Sequence, residues 1–242
     1  MTDWPGYLAD YHAERPGITE DLLTLAQDGG VTPYSWAGEA VPVGGTVVDV
    51  CCGSGPMREH LHPDRYVGLD LSASELARAR VRGLPVAVAD AGRLPLRDAS
   101  VDAVIMSMAL QLVPLPAATD EVARVLRPGG RFVAIVPANQ PLGPGDWLRY
   151  GRLSVALRIA GPSYPNDAAL KAPDLPGLRL ESDEARAFYL DISGPERADL
   201  LLDSLYLPDV PEERIDAGRV VVRRWVGHRV AVPIRRLVFS RA

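Results

Sequence analysis

The stretch TVVDVCCGSGPM, Thr46 to Met57, restricts the fold of this chain more than any other segment. A short apolar run, interrupted only by Asp49, ends in a turn that carries Gly53 and Gly55. Such a run predicts a buried strand that feeds a tight turn into a helix. Glycines at that turn let backbone N–H groups at the helix start approach a ligand closely. A strand-to-helix turn with no ligand explains Gly-x-Gly equally well. The spacing departs from a dinucleotide fingerprint, because Pro56 and Met57 follow the second glycine, and the lysine of a phosphate-binding P-loop is missing.

From Thr46 to Pro137 the runs RYVGLDL, PVAVAD, VDAVIMSM and RFVAIV alternate with helical patterns. That alternation predicts repeated βαβ units around a parallel sheet. GPMREHL reads as the first crossover helix, and Ser72 with Glu75 as a capping box for a helix that Gly83 ends. Ala118, Val122, Val125 and Leu126 form one helical face, which RPGG closes. The flanks predict a helix at TEDLLTLAQD and another over Trp147 to Ala160, capped by Asp146. Two late strands, RAFYLDIS and RVAVPIRRLVFS, enclose the helical PERADLLLDSL. In VVVRRWVGHRVAVPIRR the arginines alternate with apolar residues as on a half-exposed strand.

Asp70 falls 21 positions after Asp49, at the end of the second strand. A carboxylate there can accept hydrogen bonds from both hydroxyls of a ribose. Asp90 ends the third strand. Three strand ends of this kind share one edge of the sheet and frame a nucleoside-sized crevice. Helix capping and turn solvation are the alternative roles for Asp70 and Asp90.

In that order, VVDVCCGSG, YVGLDLSASELARAR, VADAGRLPLRDASVDAVIMSMALQLV and EVARVLRPGGRFVAIVP resemble the motifs of class I S-adenosylmethionine-dependent methyltransferases. The likeness is strongest to the methyltransferase type 11, ubiquinone/menaquinone-methyltransferase-like branch, and it covers Thr46 to Pro137. It implies an α/β, Rossmann-like, mostly parallel seven-stranded sheet with helices on both faces and a helical N-terminal lid. It also implies S-adenosyl-L-methionine as cofactor and S-adenosyl-L-homocysteine as its product. By the same resemblance, the loop carrying Asp49, Cys51, Gly53 and Gly55 passes under the methionine part and Asp70 holds the ribose. Asp90 with Ala91 faces the adenine amino edge, Leu71 and Leu94 flank the adenine, and Ser107 and Met108 lie near the sulfonium. Cys51 stands where the family commonly has glycine or alanine, and Gln111 where it frequently has histidine. Cys52 reads as a small buried hydrophobe, and neither thiol is expected to be catalytic.

Residues 1–44 are expected to form the lid, 45–137 the cofactor-binding core, 138–176 an acceptor-side insertion and 177–242 the rest of the sheet, all within one domain. Tyr11, His12 and Arg15 would close over the methionine carboxylate or the acceptor. For a hydroxyl acceptor His12 is the candidate base and Tyr11 the orienting group, with Arg15, Gln111, Trp147 and Tyr150 as acceptor contacts. A surface helix pinned by Tyr11, and core packing of the α-helical Trp147 to Leu157, are the alternatives. His60, His62 and His228 receive no role.

The net charge of −5 and pI near 5.4 argue against a sequence-independent grip on a polyanion, which needs a clustered positive surface. Neither a basic-then-apolar leader nor a run of about 18 apolar residues occurs. A soluble cytoplasmic protein is therefore expected, a monomer or homodimer with no membrane association. Cys51 and Cys52 are adjacent and supply neither a disulfide framework nor metal-ligand spacing, so no metal is expected. The expected activity is methyl transfer to an oxygen, nitrogen or carbon nucleophile of a small-molecule acceptor, in secondary metabolism. Two alternatives stand beside it. One is an RNA methyltransferase, since DISGPERADLLLDSLYLP resembles the tail of a ribosomal-RNA guanine-methylating group. The other is a cofactor-binding protein of the same fold that does not methylate, a cyclase or binding protein.

Overall fold

The computed structural model describes residues 2–170 and 174–242. Seven strands, β1 (Thr46–Val50), β2 (Arg65–Asp70), β3 (Val86–Val88), β4 (Val101–Ser107), β5 (Leu126–Pro137), β6 (Leu178–Asp191) and β7 (Arg229–Arg241), form one sheet in the order β3-β2-β1-β4-β5-β7-β6. The first five are parallel, and β7 lies antiparallel between β5 and β6. Strand order reverses between β1 and β4, which opens a crevice beyond their carboxyl ends.

Eight helices accompany the strands: α1 (Trp4–Glu14), α2 (Ile18–Leu25), α3 (Pro33–Gly38), α4 (Ala73–Val81), α5 (Leu115–Val125), α6 (Pro144–Leu157), α7 (Pro195–Asp203) and α8 (Glu212–Arg223). The central strands are apolar on both sides, as strands covered on two faces must be. Val47, Ala103, Ile105, Val133 and Ile135 pack with Leu23, Trp36, Leu153, Leu157 and Val222 from α2, α3, α6 and α8. Val48, Val104, Met106, Phe132 and Ala134 pack on the other face with Ala118, Val122 and Val125 of α5.

Several local expectations need correction. The first crossover is only a 3-10 turn at Pro56–His60, because Gly55 enters it in a left-handed conformation and Met57 is buried at once in the core. Three helices, not one, occupy the first 44 residues. Asp146 does not cap α6; the N-cap is Gly143, and Asp146 instead pairs with Arg149 at 3.1 Å. The valine-arginine run ends α8, where a helical spacing brings Arg219 and Arg223 to the α7 acids Asp199 and Asp203. Strand β6 begins at Leu178, through a charged stretch that precedes the expected strand RAFYLDIS. Its acids meet arginines of β7, Asp183 with Arg235 and Glu184 with Arg236, as suits a charged edge strand.

Gly68 on β2 is packed between Cys52 and β3. A Cβ there would lie 2.7 Å from Cys52 Sγ and 3.0 Å from Val86 Cγ1. Gly68→Ala is expected to lower stability by about 1–3 kcal/mol through overpacking. Urea unfolding monitored by circular dichroism checks this, and an unchanged midpoint would show that the β1 turn relaxes freely.

Candidate active site

At the end of β1 the chain reverses through three left-handed residues, Cys51 (φ 57°), Gly53 (φ 54°) and Gly55 (φ 84°). Cys52 N–H donates to the Leu69 carbonyl at 3.0 Å, which ties this loop to β2. Asp70 completes the tie: its Oδ2 accepts from Gly53 N–H and its Oδ1 from Ser72 N–H, both at 2.8 Å. Each oxygen keeps a second lone pair for another donor. Burial pushes the Asp70 carboxyl above the usual range, and the two backbone bonds oppose that shift. At Gly53 a Cβ would meet only the Glu75 carboxyl, no nearer than 3.7 Å, so the loop presents an open cradle.

Asp49 is completely buried beneath the loop. Its Oδ2 accepts from the Tyr66 hydroxyl at 2.9 Å, whereas Oδ1 has no partner. Desolvation raises its pKa to about 7, against the Tyr66 bond and with a smaller contribution from Asp70. Asp90 is exposed and accepts from Gly92 N–H at 2.8 Å. Beside it Ala91 and Leu94 are buried in the core, and Leu71 stands 68% exposed next to Asp70. After β4, Ser107 leads to Met108 (φ 58°), whose N–H donates to the Ile135 carbonyl at 2.7 Å. Buried Gln111 donates from Nε2 to the Met108 carbonyl at 2.7 Å, and its Oε1 has no partner.

The N-terminal helices pack on this edge. His12 Nδ1 lies 3.2 Å from Glu75 Oε1, which also accepts from Gly17 N–H at 3.0 Å. Glu20 accepts from the Ser54 hydroxyl and pairs with Arg82 at 2.7 Å. On its other side His12 Nε2 faces the Tyr206 hydroxyl at 3.3 Å. Tyr7, Tyr11, Tyr164 and Tyr206 cluster here, with Tyr11 and Tyr206 centroids 4.7 Å apart.

The structure thus brings His12 to the glycine-loop edge together with Asp70. Tyr11 is buried and donates its hydroxyl to the Asp203 carbonyl at 2.8 Å, while Arg15 lies over the Tyr11 ring at 5.2 Å. Tyr150, half-buried, donates to the Ala231 carbonyl at 2.6 Å and packs edge-on against Trp225. Trp147 is 64% exposed on the outer side of α6. Burial drives both cysteine thiols well up, which leaves them protonated and unsuited to nucleophilic work. Sequence reasoning missed Glu20, Tyr206 and the outward role of Glu75. Only half of the expected capping box forms: Ser72 Oγ accepts from Glu75 N–H at 3.4 Å, but the Glu75 carboxyl turns to His12 and Gly17.

Strand order and strand-end loops together define a doubly wound domain with its crevice at the strand reversal. Residues 48–134 match the family model described as a methyltransferase domain. Over 127 residues the chain is 35% identical to a demethylmenaquinone methyltransferase of Mycobacterium sp. (strain KMS), which covers 51% of this chain and 55% of that protein. The corresponding protein of Beutenbergia cavernae is 34% identical over 144 residues, 57% of this chain and 60% of that one. The chain thus matches little more than half the length of these curated relatives. Among solved structures, the [4+2]-cyclase SpnF superposes with a TM-score of 0.58 at 18% identity, covering 99% of this chain and 96% of that one. A chain from the complex of the Haloferax volcanii Trm112 methyltransferase activator with its methyltransferase gives 0.55 at 22% identity, covering 100% and 98%. Residues 48–134 thus match a methyltransferase domain, and the curated sequences similar to this part of the chain are demethylmenaquinone methyltransferases.

Among the described residues, three buried side-chain acceptors lack donors: Asp49 Oδ1 within β1, Glu75 Oε2 on the first turn of α4 and Gln111 Oε1 after β4. Such atoms are costly unless a ligand supplies donors. S-adenosylmethionine, with its ammonium and ribose hydroxyls, carries donors of that kind, and the residues present fit it.

The raised Asp49 pKa has a pH consequence. Between about pH 4 and pH 7 the folded state holds a proton that the unfolded state has released, so stability falls as pH rises through that window. Asp49→Asn removes the effect. Relative to wild type, the variant is expected to gain roughly 2–4 kcal/mol on going from pH 4 to pH 8, read from denaturant unfolding at each pH. A constant difference across the range would place the buried proton elsewhere.

Proposed function

We propose that this protein transfers the activated methyl of S-adenosylmethionine to an oxygen, nitrogen or carbon nucleophile of a small organic acceptor. The observation that carries the reading is the Asp70 carboxyl, which clasps the glycine loop through Gly53 and Ser72 and still has a lone pair on each oxygen for a ribose diol. In this reading Asp49 receives the ammonium of the methionine part. Asp90 and Ala91 meet the adenine amino edge, Leu71 and Leu94 its faces, and the backbone of Cys51, Gly53, Gly55, Ser107 and Met108 the remainder.

For a hydroxyl acceptor, His12 takes the proton at Nε2 while Glu75 fixes the ring from Nδ1. An amine or stabilised carbanion needs only positioning. The tyrosine cluster beside His12 supports a planar acceptor, and a quinone-type compound of the sort that names the curated relatives is the first to try. Pairing of Arg219, Arg223, Arg235 and Arg236 with acids supports a small molecule over RNA, because it leaves those arginines little free charge for phosphates. The protein works in the cytoplasm in this reading, as a monomer or homodimer.

Titration calorimetry with S-adenosylhomocysteine tests the cofactor assignment. Asp70→Ala should fold normally and bind at least about tenfold more weakly, since each charge-assisted bond contributes roughly 1.5–3 kcal/mol. Unchanged affinity would sink it. Methyl-labelled S-adenosylmethionine, incubated with the protein and a host extract, should label small molecules and leave RNA unlabelled; tight binding without label in either would favour a non-methylating protein. With a hydroxyl acceptor in hand, His12→Ala is expected to cut turnover about 10² to 10⁴-fold with cofactor affinity little changed. Wild-type turnover in that variant would mean that positioning alone suffices.

A further inference from the structure

The two oxygens of Glu75 have unequal surroundings. The residue is 5% exposed, on the first turn of α4. Oε1 accepts from Gly17 N–H at 3.0 Å and faces His12 Nδ1 at 3.2 Å, so it belongs to the lid. Oε2 is buried and has no donor among the described residues. It is the group nearest to the Cβ that Gly53 lacks, at 3.7 Å, and Gly53 N–H is the one held by Asp70. Two carboxyl groups therefore flank a single loop residue. Glu75 is also among the groups that push the Asp70 carboxyl up, as a like charge close by does.

A pair of acids at this spot lacks donors, not further acceptors. The ammonium is assigned in the proposed reading to another buried acceptor, Asp49 Oδ1, which also lacks a donor among the described residues. What suits the Asp70–Glu75 pair is a neighbouring pair of hydroxyls, one O–H for each acid. We propose that Glu75 is a second ribose-binding residue, accepting a sugar hydroxyl at Oε2 while Oε1 anchors the N-terminal lid. The proposal rests on the reading of this site as an S-adenosylmethionine site. Gly17 and His12 cover the carboxyl group, so the sugar reaches Oε2 only when the α1–α2 connection lifts. Closure then returns Gly17 N–H and His12 to Oε1, and one side chain joins ligand and lid.

Calorimetric titration of wild type and Glu75→Gln with two probes tests this: S-adenosylhomocysteine, and methylthioadenosine, which keeps the ribose and lacks the amino-acid part. Both affinities should fall by about tenfold to a hundredfold in the variant, and by similar factors. A fall confined to S-adenosylhomocysteine would assign Glu75 to the ammonium and overturn the proposal, as would unchanged affinity for both. Wild type that binds neither probe would overturn the cofactor reading itself, a result distinct from wild-type binding that the variant retains. Glu75→Asp, which keeps the charge but draws the oxygens back toward α4, serves if the glutamine variant does not fold. It should show the same paired loss, and full affinity for methylthioadenosine would overturn the proposal.

Discussion

Much of the molecule is arranged around two hydrogen bonds made by one side chain. Asp70 holds Gly53 N–H with one oxygen and Ser72 N–H with the other, joining the loop after β1 to the start of α4 across the end of β2. Left-handed residues on both sides of Gly53 make that loop possible, and the Cys52 bond to Leu69 keeps it against the sheet. Without the clasp, the Cys52 bond to Leu69 would still hold the loop to β2, but the loop would lose its tie to the start of α4. Each oxygen of that carboxyl keeps a second lone pair, so in the proposed reading a structural tie and a recognition element coincide in Asp70.

Acid groups accumulate on this edge beyond what stability favours. Asp49 is buried with one oxygen unmatched, Glu75 likewise, and Gln111 adds an unmatched amide oxygen. Burying acceptors without donors costs free energy in the ligand-free protein, and a ligand that brings donors recovers it. The uneven satisfaction of these groups contrasts with the far edge of the sheet, where β6 and β7 match acid with arginine along their length.

The core from β1 to β5 was legible because it obeys local rules: apolar runs of strand length, glycines at the turns and a helical face on α5. Asp70 was legible too, by its place at a strand end. Elements that depend on distant partners were not. Helix α8 reads as a strand from its valines, and only the α7 acids, more than a dozen residues earlier, give its arginines their helical phase. Strand β6 starts in a charged stretch that becomes a strand because β7 supplies the complementary charges. Glu75 satisfied a capping pattern so well that its turn toward His12, 63 residues away, left no trace in local sequence. Tyr206 had no local signal of any kind, since its place beside His12 arises only when α1 meets the chain after α7.

The grip of Glu20 on both Ser54 and Arg82 links α2 directly to the glycine loop and to the end of α4. Anything cradled in that loop is enclosed by the segment that must move to admit it. Exchange is then governed by how often the α1–α2 arm detaches, whatever the equilibrium affinity. Under the proposed reading, a spent nucleoside would leave only when that arm detaches. Residence time, rather than tightness, is the quantity that this arrangement sets.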